Sequence, residues 1–463
     1  MSKVAEKQKV AVIGGGLAGL SAALNIALLA RGGLSVTVFE RSPNPGGRAQ
    51  TTVKDGFSLN FGPHALYLGG AAFPFLNELG IEPSGATPPT TRATAFYNGK
   101  SMLLPLTLND ILQTTLLGFM DKLRFLAFMS KLSSFDEISI ESLTVNEWID
   151  SDKGLRRGGK ALKSLIRTLV QLTTYTGDMS KLSAAAGVRQ LKLAVSGGVS
   201  YLHGGWAQMI NALVEKSKEA GVEIVGGCEV NEIFRSKETG KITVVFKDPQ
   251  QDSVSQTFDA IILAVPPVAV NAILGRTHSS DNVQALELGG ERLEDVKAAC
   301  LDICLSELPY PEKTFALGVD EPVYYSVHSS AAKLAPGNGA LIHLAYYLKG
   351  GETGTHQIEK RLEKVMDDLQ PGWREKLVYK RYLANIVVTH KLLTVKNAKL
   401  GGYWTEKTNE PDVFRAGDWV GAHPLADGSL GSAKVSSELL IEHLQKQSNC
   451  TESSFKSLAA CNN

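Results

Sequence analysis

The 463-residue chain has few cysteines and almost no net charge. None of its five cysteines (Cys228, Cys300, Cys304, Cys450 and Cys461) forms a C-x-x-C pair, which argues against a structural zinc site and a thioredoxin-like redox site. Low cysteine use is typical of a reducing compartment. The formal net charge is +1, so nothing in the composition indicates nucleic acid as a partner.

Long hydrophobic runs are also absent. No stretch of about 18 uncharged apolar residues occurs, so no transmembrane helix is predicted. The segment before Lys9 is polar and does not resemble a secretory signal peptide. We therefore expect a cytoplasmic protein. The hydrophobic fraction of 43% is enough for a large core divided over two or three structural units.

The strongest local pattern is a glycine-rich turn between two predicted strands. The apolar run Lys9–Ile13 predicts a buried parallel strand, and the G-x-G-x-x-G turn Gly14–Gly19 follows it. An apolar helix is predicted over Leu17–Ala30, and Leu34–Glu40 predicts a second strand that ends on an acid. Strand, glycine turn, helix and terminal acid together predict a dinucleotide-binding unit.

Each residue type in this unit suits a separate task. Gly14 allows a tight turn, Gly16 lets the backbone approach a pyrophosphate, and Gly19 lets the helix pack closely on the strand. The first helical residues, Leu17-Ala18, offer backbone N–H groups to the phosphates. Glu40 is placed to accept hydrogen bonds from a ribose.

Two further turns follow the acid. The segment Arg41-Ser-Pro-Asn-Pro-Gly46-Gly47-Arg48 combines a glycine pair, which permits close backbone approach, with a guanidinium that can bind an anion. The segment Asn60-Phe-Gly62-Pro63-His64 contains a second glycine turn. On these motifs the chain resembles the superfamily of flavin monoamine oxidases, protoporphyrinogen oxidases and phytoene desaturases.

That resemblance implies FAD as the cofactor. It places the glycine pair over the FAD pyrophosphate, and it brings Arg48 to the phosphate or the flavin side. It also implies that Arg41 binds the cofactor. It lays the turn of Gly62, Pro63 and His64 along the isoalloxazine ring. In the strand predicted over residues 229–234, it brings the Val230 backbone to the adenine.

Motifs towards the C-terminus extend the resemblance. Asp259–Pro267 is similar to the family strand that closes the parallel sheet, and Gly417-Asp418 resembles the motif whose acid binds the ribityl chain. The helix start at Gly428 and Ser429 would place N–H groups against the flavin pyrimidine edge.

The spacing of the cysteines bears on how the cofactor is held. No cysteine lies between Cys304 and Cys450. This departs from the covalent amine oxidases, so the resemblance implies non-covalent FAD and the phytoene desaturase-like branch.

The motifs divide the chain into interleaved segments. We expect an α/β fold in which a Rossmann-like FAD-binding domain, a parallel sheet with a β-meander, is built from 1–70, 196–274 and 385–447. An α+β substrate domain would come from a mainly helical segment, 71–195, and a sheet-and-helix segment, 275–384. The predicted last helix ends near residue 445, and 448–463 is predicted to be a disordered tail.

The segment Met102–Leu132 is dense in leucine, phenylalanine and methionine but carries several charges. One interpretation is a pair of core helices, and the other is a surface that contacts a membrane or lines an apolar tunnel. A charge placed at Leu117 or Phe125 distinguishes the two interpretations. It would unfold the protein if these residues belong to core helices, and it would weaken lipid binding if they belong to a membrane-contacting surface.

The predicted chemistry is hydride removal from a substrate C–H bond to flavin N5. The first hypothesis is a desaturase or dehydrogenase acting on an apolar, isoprenoid-like substrate, with oxygen or a quinone as electron acceptor. The alternatives are an amine oxidase and a non-catalytic flavin-binding protein. His64 and His423 are the flavin-facing candidates for a base, and further candidates lie outside those motifs: His203, His328, His343 and Lys333. No metal site is predicted.

Overall fold

The structure is a computed structural model, and it describes residues 7–248, 251–274, 283–284, 293–398 and 405–460. Within these ranges the strands are β1 (Gln8–Ile13), β2 (Leu34–Glu40), β3 (Thr51–Lys54), β4 (Phe57–Asn60), β5 (Leu66–Tyr67), β6 (Gly85–Ala86), β7 (Thr94–Tyr97), β8 (Lys100–Leu103), β9 (Val199–Leu202), β10 (Glu223–Gly226), β11 (Glu229–Ser236), β12 (Ile242–Asp248), β13 (Gln251–Phe258), β14 (Ala260–Leu263), β15 (Val283–Gln284), β16 (Val296–Leu305), β17 (Phe315–Gly318), β18 (Val323–Val327), β19 (Ala340–Tyr347), β20 (Leu377–Thr389) and β21 (Val413–Arg415). The α-helices are α1 (Leu17–Ala30), α2 (Ala72–Glu78), α3 (Leu108–Gln113), α4 (Phe119–Lys131), α5 (Val145–Ser151), α6 (Lys160–Thr174), α7 (Ala184–Gly197), α8 (Ala207–Glu219), α9 (Pro267–Leu274), α10 (His356–Leu369) and α11 (Leu425–Ala460).

A five-stranded parallel sheet forms the first unit, in the order β10-β2-β1-β14-β21. Helices α1, α8 and α11 pack on one face, and an antiparallel meander of β11, β12 and β13 covers the other. The strands are apolar because both faces of the sheet are buried. The predicted α/β fold with a parallel sheet and a meander is confirmed.

The position of β14 differs from the prediction. We expected Asp259–Pro267 to close the parallel sheet, but β14 lies beside β1 and the outer place belongs to β21. The strand β21 is only three residues long, Val413–Arg415, too short for an alternation or an apolar run to reveal it.

The second unit is a seven-stranded sheet, in the order β20-β16-β19-β18-β17-β7-β8. The helices α5, α6 and α7 pack against one face, and α10 packs against the other. Segment 275–384 supplies β16, β17, β18, β19 and α10 to this unit, as expected of a sheet-and-helix segment. Its strand β15 pairs instead with β11 of the meander, and 275–282 and 285–292 lie outside the described residues.

Segment 71–195 is less helical than predicted. A hairpin, β7–β8, lies within it and extends the seven-stranded sheet through a parallel pairing of β7 with β17. Its turn is Asn98-Gly99, with φ of 49° and 69°. Asn-Gly with both φ angles positive is typical of the tight turn that fits strand twist. The Asn-Gly dipeptide is therefore the sequence signal for this hairpin.

Two boundaries also differ. The strand β20 continues the seven-stranded sheet to Thr389, beyond the predicted limit at 384, because its last residues still pair with β16. The helix α11 extends to Ala460, beyond the predicted helix end near residue 445. No glycine or proline follows Gly431 within the helix to end it. None of the helices in the described ranges is long and apolar enough to cross a bilayer.

Candidate cofactor and substrate site

A cavity of about 750 Å³ opens where the parallel strands end and reaches the seven-stranded sheet. The turns that follow β1, β2, β14 and β21 meet there because the carboxyl ends of parallel strands lie at one edge of a sheet. The cavity wall contains these predicted cofactor-binding residues: Gly14, Gly16, Leu17, Ala18, Glu40, Arg41, Gly46, Gly47, Arg48, Pro63, His64, Val230, Gly417, Asp418 and Ser429.

The first glycine turn is shaped as its sequence predicts. Gly14 has a φ of +108°, and a Cβ there would lie 2.6 Å from the Ala264 carbonyl oxygen. A Cβ on Gly19 would fall on the carbonyl oxygen of Gly14, so Gly19 sets the contact between α1 and β1. It does not line the cavity. A Cβ on Gly16 would meet no atom within 4 Å and would project into the open space beside the turn.

The start of α1 fits a bound pyrophosphate. Gly16 caps the helix without a side-chain hydrogen bond, and the first turn contains no acid. The N–H groups at the beginning of the helix therefore remain for a ligand in the cavity, together with the positive end of the helix dipole.

Glu40 is fixed at the cavity wall by the backbone. Its Oε2 accepts a hydrogen bond of 2.7 Å from Gly15 N–H, and its Oε1 accepts one of 2.8 Å from Ser42 N–H. The Gly46 N–H donates to the Gly15 carbonyl at 2.8 Å, so the two glycine motifs are joined directly. The carboxylate is thus held beside both loops, where a ribose could donate to its remaining lone pairs.

Arg48 connects three parts of the chain. Its Nη2 lies 2.9 Å from Asp418 Oδ2, and its Nη1 donates to the Val388 carbonyl at 2.9 Å. Burial by itself would raise the pKa of Asp418, but the Arg48 guanidinium outweighs it, and the pKa lies below its usual range. The Asp418 carboxylate, which also accepts from His390 N–H at 3.1 Å, is therefore ionised. The sequence motifs predicted that Arg48 and Asp418 both bind the cofactor, but they did not predict the ion pair between them.

His64 lines the cavity as predicted. Its Nδ1 lies 3.1 Å from the Gly62 carbonyl oxygen, and its ring packs edge-on against Trp206 with centroids 4.7 Å apart. Burial lowers its pKa to about 4, against the opposing effect of the Gly62 carbonyl. His64 is neutral near pH 7. Gly62, with φ +76°, lies behind it, and a Cβ there would lie 2.9 Å from Cys300 Sγ.

The other predicted base candidates do not reach this cavity. His423 lines a separate cavity of about 390 Å³, beside Asp427 and Gly428. A Cβ on Gly428 would overlap the His423 carbonyl oxygen, so this glycine serves close packing at the start of α11. His423 and Gly428 are therefore not among the residues that line the main cavity, although Leu425, Ala426 and Ser429 of the same first helical turn are. Their predicted contact with the flavin remains a prediction.

The remaining base candidates have structural partners. His203 Nδ1 accepts from the Lys333 N–H at 3.1 Å, which fixes one loop on another. His328 Nε2 lies 3.0 Å from the Tyr324 hydroxyl, and His343 Nδ1 lies 2.6 Å from Asp302 Oδ1. None of these residues is among those that line the cavity.

The Asp302–His343 pair belongs to a polar row across the seven-stranded sheet. Arg381, Asp302, His343 and Ser326 are direct neighbours on β20, β16, β19 and β18. The Arg381 Nε donates to Asp302 Oδ2 at 2.9 Å, and its Nη2 donates to the Asn60 carbonyl. The row therefore fixes the beginning of the turn that carries His64.

Sequence reasoning missed several residues of the cavity wall, among them Tyr175, Cys300, His390 and Leu425. Tyr175 and Leu425 have φ angles of 57° and 60°, a conformation that is uncommon for large side chains and clusters at functional sites. No sequence signal marks such a backbone. Cys300 could have been recognised only from its register on β16.

Fold and site together define a nucleotide-binding α/β protein whose cofactor cavity is closed on one side by a second sheet. The family model described as "Flavin containing amine oxidoreductase" matches residues 17–290, and the chain belongs to this family. FAD is its cofactor.

Three comparisons illustrate the relationships. The chain is 25% identical over 297 residues to coproporphyrinogen III oxidase of Staphylococcus aureus, covering 56% of this chain and 60% of that protein. It is 28% identical over 278 residues to 4,4'-diapolycopene oxygenase of a Methylomonas species, covering 52% of each. The matches thus span about half of these relatives. A crystal structure of an oxidoreductase from Methanosarcina mazei superposes with a TM-score of 0.65 at 17% identity, covering 93% of this chain and 100% of that one.

Proposed function

We propose that the protein dehydrogenates an apolar, isoprenoid-like substrate with non-covalent FAD as the hydride acceptor. Bound FAD would accept the hydride at N5, and the substrate would also lose a proton to form a C=C bond. Oxygen or a quinone is the expected terminal acceptor. The observation that carries the proposal is the character of the cavity wall on the side of the seven-stranded sheet.

That wall is apolar. It is formed by Ala298 and Cys300 of β16 and by Ile386 and Val388 of β20, and Tyr175 lies beside them. Burial raises the pKa of the Cys300 thiol and of the Tyr175 hydroxyl, so both are neutral. A hydrocarbon can be buried here without desolvating an unpaired charge.

The charged groups of the described wall have partners or lie near the nucleotide motifs. Asp418 is paired with Arg48, and both oxygens of Glu40 accept backbone hydrogen bonds. A cationic substrate would therefore find no free carboxylate in the apolar wall. The relative named 4,4'-diapolycopene oxygenase supports an isoprenoid-like substrate, although the match covers only about half of it.

An amine oxidase is the second candidate, and two tyrosines favour it. Tyr67 and Tyr175 both line the cavity, and aromatic faces attract cations. The ring of Tyr175 packs edge-on against Tyr347 at 5.8 Å, which fixes its orientation. This arrangement could hold an amine through its cation or its apolar body.

Anaerobic reduction of the bound flavin distinguishes the two. The holoenzyme would be mixed either with an acyclic isoprenoid hydrocarbon in detergent or with a panel of primary amines. The absorbance of the flavin band at about 450 nm would then be followed. We expect bleaching with the hydrocarbon. Bleaching with amines alone would overturn the proposal. Acid precipitation of the same sample should release all flavin, since attachment is proposed to be non-covalent.

A matched pair of variants sharpens the result. Tyr175→Phe keeps the aromatic face and Tyr175→Leu removes it. An amine substrate held by that face should react normally with the first variant and poorly with the second, whereas a hydrocarbon should tolerate both.

A further inference from the structure

Two short helices of the substrate domain present large apolar side chains to solvent. Leu108 and Leu112 on α3 are 63% and 64% exposed, and Phe119, Met120 and Leu123 on α4 are 75%, 56% and 46% exposed. We call these five residues the α3–α4 face. Single exposed apolar residues are ordinary, but a group on adjacent helices indicates an interaction surface.

The face is built into a well-packed unit. Ile111 of α3 and Phe125 and Phe128 of α4 are buried in the core of the substrate domain. Lys122 Nζ donates to the Leu112 carbonyl at 2.7 Å and joins the two helices. The exposed residues on α4 recur at positions 119, 120 and 123, on the side away from the core. Helix formation therefore directs them outward, and the core interpretation of Met102–Leu132 holds only for the inner side, where Leu117 and Phe125 lie.

A basic segment lies next to the first turn of α4. Residues 153–163 contain five lysines and arginines and no acid. The Gly159 N–H donates to Asp121 Oδ2 at 3.0 Å, which holds this segment beside the turn that carries Phe119 and Met120. Arg156, Arg157 and Lys160 are exposed.

Two acids of these helices are already engaged. Asp121 is paired with Arg124 at 2.7 Å, and Asp110 is buried as part of the cap of α3. Within the basic segment, Lys163 is paired with Asp150 at 2.8 Å, and the exposed Arg156, Arg157 and Lys160 remain as positive charges beside the first turn of α4.

We propose that the α3–α4 face docks on an anionic lipid bilayer, with its five apolar side chains in the interfacial zone and the basic segment against the lipid phosphates. Apolar insertion next to a cationic rim is the combination by which peripheral proteins bind anionic membranes. This inference does not rest on the proposed function, because docking requires no turnover.

Vesicle flotation of the full-length holoprotein tests it. One set of vesicles contains phosphatidylcholine alone and the other an equal mixture of phosphatidylcholine and phosphatidylglycerol. We expect the wild type to float with the mixed vesicles, more weakly with phosphatidylcholine, and less as salt is added. Failure to float with the mixed vesicles at low salt would overturn the proposal.

Matched variants assign the binding to the face. Phe119→Ser/Leu123→Ser and Arg156→Glu/Arg157→Glu should each weaken binding to mixed vesicles at least about tenfold. Val53→Ser, which alters a side chain 69% exposed on β3, and Lys218→Glu, which reverses an exposed charge on α8, should bind as the wild type does.

Flavin content and melting temperature should stay unchanged in all four variants, because every substituted side chain is exposed. Wild-type binding by both double variants, or equal losses in the two controls, would contradict the assignment. A change from dimer to monomer in Phe119→Ser/Leu123→Ser, without a loss of vesicle binding, would show that the face binds another copy of the chain instead.

Discussion

The guanidinium of Arg48 lies 2.9 Å from the carboxylate of Asp418 and joins the first and last cofactor motifs of the chain. The side chain of Asp418 is 3% exposed and that of Arg48 is 41% exposed, so the carboxylate is the partner that depends on the pair. Because Arg48 also donates to the Val388 carbonyl, the same side chain holds the seven-stranded sheet against the cavity.

Removal of Arg48 alone should therefore lower the free energy of unfolding more than removal of the charges of both Arg48 and Asp418. Arg48→Met leaves a buried carboxylate without its cation, and we expect a loss of about 1–3 kcal/mol in the free energy of unfolding, below the range for fully buried pairs because Arg48 is partly exposed. Arg48→Met/Asp418→Asn should recover part of that loss. Urea unfolding of the two variants and of Asp418→Asn gives the coupling energy. If the losses in the two single variants add up to the loss in the double variant, the ion pair contributes nothing to stability.

Gly16 and Gly19 should respond in opposite ways to alanine. A Cβ on Gly16 meets no protein atom, so Gly16→Ala should fold with an unchanged melting temperature and purify with little FAD, because the methyl group occupies cofactor space. A Cβ on Gly19 overlaps the Gly14 carbonyl, so Gly19→Ala should lower the stability of the apoprotein by about 1–3 kcal/mol. Flavin absorbance per protein and thermal melting of the apo forms separate the two effects. Full flavin occupancy in Gly16→Ala would contradict the placement of the pyrophosphate.

His64 should make the protein sensitive to acid. Its pKa is about 4 in the folded protein and near 6.5 when unfolded, so between these values the unfolded chain binds more protons. Stability should rise with pH from about 4 to 6.5 and be fully present above 6.5, with His64 contributing at most about 3 kcal/mol over that window. His64→Gln should lose this part of the slope. Urea unfolding of both proteins at several pH values checks it; parallel curves would show that His64 titrates normally.

Asp427 should oppose folding at neutral pH. Burial raises its pKa to about 6 from an ordinary 3.8, although its Oδ1 accepts a hydrogen bond of 2.8 Å from Ala72 N–H. The folded protein binds more protons between these values, so this contribution to stability is fully present below pH 3.8 and is lost as pH rises to about 6.

Replacing Asp427 by asparagine tests that sign. Asp427→Asn keeps an acceptor oxygen without the charge and should stabilise the protein at pH 7 by up to about 3 kcal/mol, with a smaller gain at pH 4. Melting temperatures of the apoprotein at the two pH values measure it. Destabilisation at pH 7 would show that the ionised carboxylate is required.

Much of the nucleotide half of the molecule could be predicted from the sequence. Gly14, Gly16 and Gly19 act within one continuous strand–turn–helix unit, so their spacing along the chain already defines their positions in space. The same holds for Glu40, which ends the strand next to them. Local motifs of this kind need no knowledge of distant contacts.

The other side of the cavity could not be predicted in this way. Cys300 and Val388 come from strands far apart in the chain, and only the register of β16 with β20 places them together. His423 illustrates the same limit: its place in a C-terminal motif did not show that it would line the smaller cavity beside Asp427.

That the cofactor is a dinucleotide could be read from one short segment, because phosphate and ribose are recognised there by backbone geometry and a single acid. The pairing of Arg48 with Asp418, the apolar substrate wall and the outward direction of Phe119 required the folded structure. Each depends on which face of an element is buried against partners distant in the chain. A local pattern shows that a helix has an apolar side without showing what that side contacts.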